Sequence, residues 1–289
     1  MTTEQAMTTT RSSGASNKAE RAAHEANDSE ALHQGARVGL IALGVVHLLV
    51  GWLALQLALG SSEGSADSGG AMQQLAETSV GKPLLWLLVL GFVALVLWKL
   101  AEAAVGHKDE DDEKKRAGKR VFSAGKAVIF GILAFSAAKA ASGSSGGGGN
   151  SKQESLTGKL MEAPLGQGLV GLVGLALIGY GAFYVYRGWK EKFREQLEAG
   201  AGGGHVGSAI ITVGKVGHIA KGFAIAVLGV LVVVAAVQHD PEKSGGLDDA
   251  LKELLSQPSG HVLVGIIGVG IACYGLYCFG RAKYLKHTA

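Results

Sequence analysis

The stretch GHIAKGFAIAVLGVLVVVAAV, Gly217 to Val237, decides the fold. After His218 and Lys221, one helical turn apart, it runs apolar for sixteen residues without a charge. A run of that kind approaches the roughly 20 residues that cross a hydrocarbon core about 30 Å thick. Six such runs are present, at Val38 to Leu59, Pro83 to Val105, Val121 to Ala141, Gly166 to Tyr186, Val216 to Val237 and His261 to Phe279. The apolar residues are clustered rather than alternating, so the expected class is all-α, an integral membrane bundle of six spanning helices.

The opening stretch also repeats. GLIALGVVHLLVGWLAL from Gly39 lies over GHIAKGFAIAVLGVLVV from Gly217 without gaps, matching Gly39, Ala42, Gly44 and Gly51 with Gly217, Ala220, Gly222 and Gly229. A looser copy, GKAVIFGILAF from Gly125, puts Lys126 opposite Lys221 and Ala127 opposite Gly222. The even helices repeat as well. GQGLVGLVGLALIGYGAFYVYRGW from Gly166 aligns with GHVLVGIIGVGIACYGLYCFGRAK from Gly260, pairing Tyr180 with Tyr274 and Arg187 with Arg281. In the first copy Glu102 stands opposite those arginines, and Trp86, Val89 and Val96 replace the glycines. A short amphipathic segment precedes each even helix, clearest in LDDALKELLSQPSG from Leu247 and weaker in AMQQLAETSVG and SLTGKLMEAPLG. Three tandem two-helix modules follow, at 37–107, 119–195 and 209–286, behind a polar tail over 1–36 that reads as disordered. SGSSGGGGNS and GAGGGHVGS read as flexible connectors and KDEDDEKKR as a solvated loop.

Lysines and arginines favour the cytoplasmic side of short loops. They gather in the N-terminal tail, the second and fourth connections and the C-terminus, and thin out to Lys82, Lys152, Lys159, Lys243 and Lys252 on the other side. Both termini are therefore expected in the cytoplasm, with a multi-pass chain in the cell membrane and its modules parallel about an axis along the membrane normal. The net charge of +3 and its distribution give no nucleic-acid face. Cys273 and Cys278, five apart on one helix, point in different directions and predict no disulfide between them.

Charges inside spanning segments cost roughly 2.5 to 3.5 kcal/mol at mid-membrane, so each needs a partner, a wet cavity or a route to the headgroups. Lys126 and Lys221 open odd helices, whereas Glu102, Arg187 and Arg281 close even ones, and all five fall near one depth. A pseudo-threefold bundle could gather them around one axis, with Glu102 the natural partner of either lysine. The plainer reading has Lys126, Lys221, Lys99 and Lys139 reaching the interface along their four methylenes. His47 is deeper, with Phe130 and Ile225 at its matching positions, and suits an interhelical hydrogen bond. Gly174 and Gly181, with Gly171 on the same face, are matched by Gly268, Gly275 and Gly265, a small-residue stripe that lets helix backbones approach closely.

Through ARVGLIALGVVHLLVGWLAL, DALKELLSQPSGHVL and the endings GYGAFYVYRGW and CYGLYCFGRAK, the chain resembles an actinobacterial membrane family, the domain of unknown function 1206. The resemblance covers about Ala36 to Lys286 and implies three two-helix modules in the cell membrane, without catalytic residues to carry over.

No nucleophile, acid and base set, metal-ligand spacing or cofactor motif emerges, so neither enzyme activity nor a cofactor is expected. The leading expectation is a structural or interaction protein whose partners are the lipid bilayer and another membrane protein or a second copy. The alternative is a transporter of a small solute or ion, motivated by the parallel repeats and the polar cluster at the cytoplasmic depth.

Overall fold

Apolar runs too long for a soluble core satisfy their backbone groups only by becoming helices. In chain order they form α1 (Glu30–Ala58), α2 (Ser68–Ala76), α3 (Gly81–Val105), α4 (Glu113–Ala141), α5 (Gly166–Trp189), α6 (Gly204–Gln238), α7 (Leu247–Leu255) and α8 (Gly260–Lys283), with a 3-10 turn, Lys192–Gln196, behind α5. The computed structural model describes residues 30–61, 65–105, 112–143, 158–159, 166–197, 203–240 and 246–285. All but α2 and α7 are long and apolar enough to cross a membrane. The protein is therefore an all-α bundle, and exposed side chains such as Leu90, Ile132, Phe223 and Val262 form flanks suited to lipid.

The entering helices α1, α4 and α6 begin earlier than the hydropathy predicts. α1 starts at Glu30, so residues 30–36 are helix rather than disordered tail. Asp112 caps α4, accepting from Lys114 N at 2.9 Å, and this turns the end of the charge run, Glu113 to Arg116, into a first helical turn instead of loop. α6 begins at Gly204, inside the stretch expected to be a flexible connector. Most of the rest of those connectors, the tail before residue 30 and nearly all of the second amphipathic segment lie outside the described residues.

The tightest pairs cross module boundaries. α5 packs on α6, α8 on α1 and α3 on α4, while α1 also meets α3 and α6 meets α8. Glycine makes the first two possible. A Cβ at Gly181 would lie 2.6 Å from Gly222 O and one at Gly174 3.0 Å from Gly229 O; the repeat-related values are 2.8 Å from Gly275 to Gly44 O and 3.0 Å from Gly268 to Gly51 O. Backbones in contact leave no room for a side chain. Gly171 and Gly265 lie at the ends of the stripe, where an added Cβ would meet only Ala236 Cβ at 3.8 Å and Ala58 Cβ at 3.7 Å. In the third pair Ala127 and Ala134, both buried, stand where α6 has Gly222 and Gly229.

Within modules one and three, a second glycine lets the two helices touch. Gly39 abuts Leu95 and Gly91 O, and Gly217 abuts Tyr274, where a Cβ would fall 2.5 Å from the backbone. In module two the matching position is Phe122, whose ring reaches Tyr180 at 5.9 Å and Phe183 at 6.5 Å. A ring where the other modules have hydrogen holds α4 away from α5. The six helices thus form a ring, α4–α3–α1–α8–α6–α5, with a seam between its two ends, and α4 and α5 are its least buried spans.

One end of the ring is capped by α2, which packs on α1, α3 and α4, and by α7, which packs on α6, α8 and α1. Asp248, 2% exposed, joins the first module to the third by accepting from Ala66 N at 2.8 Å and pairing with Lys252 at 2.6 Å. That hydrogen bond holds the Lys252 ammonium above its ordinary range, while burial raises the carboxyl of Asp249, which accepts from Gly246 N. Asp248→Ala would leave the buried Ala66 N–H unsatisfied, a cost of about 1–3 kcal/mol. Thermal unfolding in detergent is expected to show Asp248→Ala clearly less stable than Asp248→Asn, which keeps an acceptor for Ala66. Equal losses would remove the bridge from the account.

Candidate functional site

The core of the capped half is mostly apolar: Val50, Leu53, Leu85, Leu88, Val264 and Ile267 are all buried there, with the Gln56 Oε1 a buried polar exception. Polar side chains collect in the opposite half, toward the ends that carry Arg187 and Arg281. A cleft of about 590 Å³ on the flank of the α5–α6 pair, lined by Ile178, Ala182, Val185, Phe223, Ala226 and Val230 among others, is apolar and offers no such chemistry.

Lys221 is directed inward rather than along its helix to the headgroups. Its ammonium lies 2.9 Å from His47 Nε2, 4.0 Å from the Tyr274 ring centroid and 5.7 Å from that of Tyr184. An ammonium has only donors, so His47 Nε2 accepts, and the ring proton sits on Nδ1, which donates to Leu43 O at 2.8 Å. The imidazole is thereby the neutral tautomer that solvates a cation within the bundle. α1, α6 and α8 position this group, and Tyr274 stacks obliquely on His47 at 4.8 Å.

Toward the ends of the helices the group is closed by rings. After α5, Glu191 adopts a left-handed conformation and the 3-10 turn folds Phe193 inward until it is fully buried. His218, 3% exposed, stacks between Phe193 at 4.8 Å and Tyr184 at 5.7 Å and donates from Nδ1 to Gly214 O. Tyr277 packs edge-on against both Phe193 and His218 and donates to Phe193 O at 3.3 Å. Gly214 leaves room for Phe193 and Tyr277, whose atoms would lie 2.7 and 2.8 Å from a Cβ there.

Glu102 pairs with Lys99, one turn away on α3, and the Lys99 ammonium covers Trp98 at 3.9 Å. Lys126 covers Phe122 at 4.3 Å, beside the seam, and is acted on by the charges of Lys99, Glu102, Arg187 and Arg281. Arg37, Arg187 and Arg281 each bury Nε without a partner. The structure thus forms two neighbouring groups from the expected cluster. His47 and Lys221 sit among tyrosines, and Lys126 lies within electrostatic reach of Glu102, Arg187 and Arg281.

Tyr184 and Phe193 belong to the site without having been singled out by their sequence, and Lys99, expected to reach the interface, is buried beside Glu102. His218 carried a signal, lying one helical turn before Lys221 on the quoted stretch.

The family described as Domain of Unknown Function (DUF1206) matches the chain three times, over residues 38–106, 122–191 and 216–284, each match taking in one entering helix and the returning helix after it. The chain is also similar to YxxB, an uncharacterised protein of Bacillus subtilis (strain 168), with 27% identity over 252 residues, 87% of this chain and 90% of that protein. That relative comes from Bacillus rather than from an actinobacterium. No solved structure matches the chain.

Proposed function

We propose, for a chain that belongs to the family of Domain of Unknown Function 1206, a structural or interaction role in the cell membrane: a non-enzymatic bundle that holds a lipid or protein partner from one side. The observation that carries this reading is the uneven interior. Ionisable side chains cluster in one half, while Leu, Val, Ile and Ala make up most of the half beneath α2 and α7, where Gln56 is a buried polar exception. A solute path needs hydrophilic groups at both ends, whereas a site for a partner needs them at one. The lysine and arginine distribution favours a cytoplasmic side for the polar half and both termini.

Transport is the second reading, favoured by the buried Lys221–His47 contact, since intramembrane ionisable groups often mark ion or proton pathways. Proteoliposomes separate the two. Across a panel of ions and small solutes, flux is expected to equal that of empty liposomes, and purification from the host in mild detergent is expected to recover a constant lipid or protein companion. Flux that disappears in Lys221→Met would overturn the structural reading.

A further inference from the structure

We propose that the basic cluster around Lys126 binds the phosphate group of an anionic lipid, which enters sideways through the seam between α4 and α5; the assignment rests on the one-sided role proposed above. Charge is the first reason. Lys126 is acted on by Lys99, Arg187 and Arg281 and, among the described residues, by the carboxylate of Glu102, which pairs with Lys99. Nearby, Lys221 is held by a neutral imidazole and a tyrosine ring. A surplus of cations at the edge of a hydrocarbon layer is costly until an anion joins it.

Geometry is the second reason. Arg187 and Arg281 each bury an Nε–H that has no acceptor. Guanidinium groups suit phosphate oxygens, which accept several charge-assisted hydrogen bonds at once. Access is the third. Phe122 replaces the glycine that closes the other modules, so α4 and α5 meet through the rings of Phe122, Tyr180 and Phe183 rather than backbone to backbone, and acyl chains would meet these rings at the seam. Basic pockets between spanning helices are a known means of holding lipid headgroups.

The test uses the full chain in phosphatidylcholine nanodiscs containing a minor fraction of phosphatidylglycerol, with retained lipid identified by native mass spectrometry after extraction. Wild type is expected to retain phosphatidylglycerol, and Lys126→Gln/Arg187→Gln to retain at least about tenfold less. Lys114→Gln/Lys115→Gln, on the exposed first turn of α4, should match wild type. Lys126→Arg keeps the charge and should retain lipid, which separates loss of binding from loss of folding. Phe122→Gly leaves every charge in place and narrows the seam, so its retention should fall while its elution profile stays that of a folded chain. Retention of phosphatidylglycerol no greater than that of phosphatidylcholine, or unchanged retention in the double variant, overturns the site. Unchanged retention in Phe122→Gly overturns the lateral route. If inorganic phosphate added to pure phosphatidylcholine discs protects against thermal unfolding as well as phosphatidylglycerol does, the ligand is soluble phosphate and the lipid assignment falls. Solute flux with lipid retention intact would remove the structural reading and leave this site standing.

Discussion

His47→Leu is expected to destabilise the bundle more than Lys221→Met, although it removes the smaller polar group. Leucine fills the space of the ring but offers no acceptor, so the Lys221 ammonium stays inside beside the Tyr274 and Tyr184 ring faces without its imidazole acceptor. Stranding a charged donor in this way costs about 3 kcal/mol. Lys221→Met leaves a bare acceptor at His47 Nε2, costing about 1–3 kcal/mol, but it also removes a cation whose burial in hydrocarbon is itself unfavourable by a similar amount. The two terms nearly cancel, so Lys221→Met should lie within about 1 kcal/mol of wild type. The double variant should recover most of what His47→Leu loses. A double-mutant cycle from thermal unfolding in detergent reads this coupling directly, and additive losses would show that the 2.9 Å contact contributes nothing.

The second large effect is at the glycine contacts. At Gly181 and Gly275 an added Cβ would fall 2.6 and 2.8 Å from a carbonyl oxygen of the facing helix, and backbone cannot turn aside as a side chain can. Leucine at either position must therefore separate two helices along their whole contact, beyond the roughly 1–3 kcal/mol usual for overpacking. Gly181→Leu and Gly275→Leu are expected to abolish the monodisperse purified protein or lower its unfolding temperature sharply. Gly179→Leu, on the same helix as Gly181 with nothing within 4 Å of an added Cβ, should be neutral. Equal behaviour of Gly179→Leu and Gly181→Leu would mean that α5 and α6 do not meet along this stripe.

Much of this architecture is legible in the residues. Six apolar runs give the spans, and the gapless match of Gly39 to Gly217 gives the module. Which helices embrace is harder to read, because a repeat defines a unit and leaves its neighbour open. The clue was that Gly44 and Gly51 recur as Gly222 and Gly229 on entering helices while Gly174 and Gly181 recur as Gly268 and Gly275 on returning ones, two stripes of equal spacing that fit each other.

The site was legible by residue type but not by direction. Lysine near a helix end can point to headgroups or inward, and the presence of His47 on α1, across α8, decides between them for Lys221. Asp248 was hidden in an amphipathic segment, yet it shares a face with Leu251 and Leu255, the apolar side of α7, which is where a buried acid would stand. Phe122 had the plainest signal, a phenylalanine where two sister modules have glycine, but the looser alignment of the second module obscured it.

In this architecture α8 closes the ring onto α1. A cysteine pair tests it most directly, in a chain with Cys273→Ser and Cys278→Ala. A Cβ at Gly265 would lie 3.7 Å from Ala58 Cβ, and the repeat-related Gly171 would lie 3.8 Å from Ala236 Cβ. Both distances fall within the roughly 3.5–4.5 Å that a disulfide spans between Cβ atoms. Mild oxidation in native membranes is predicted to lock Ala58→Cys/Gly265→Cys into a bond within one chain, as readily as Gly171→Cys/Ala236→Cys. If the second pair closes while the first stays reduced, or links only separate chains, the ring is open between α8 and α1 and the account is contradicted.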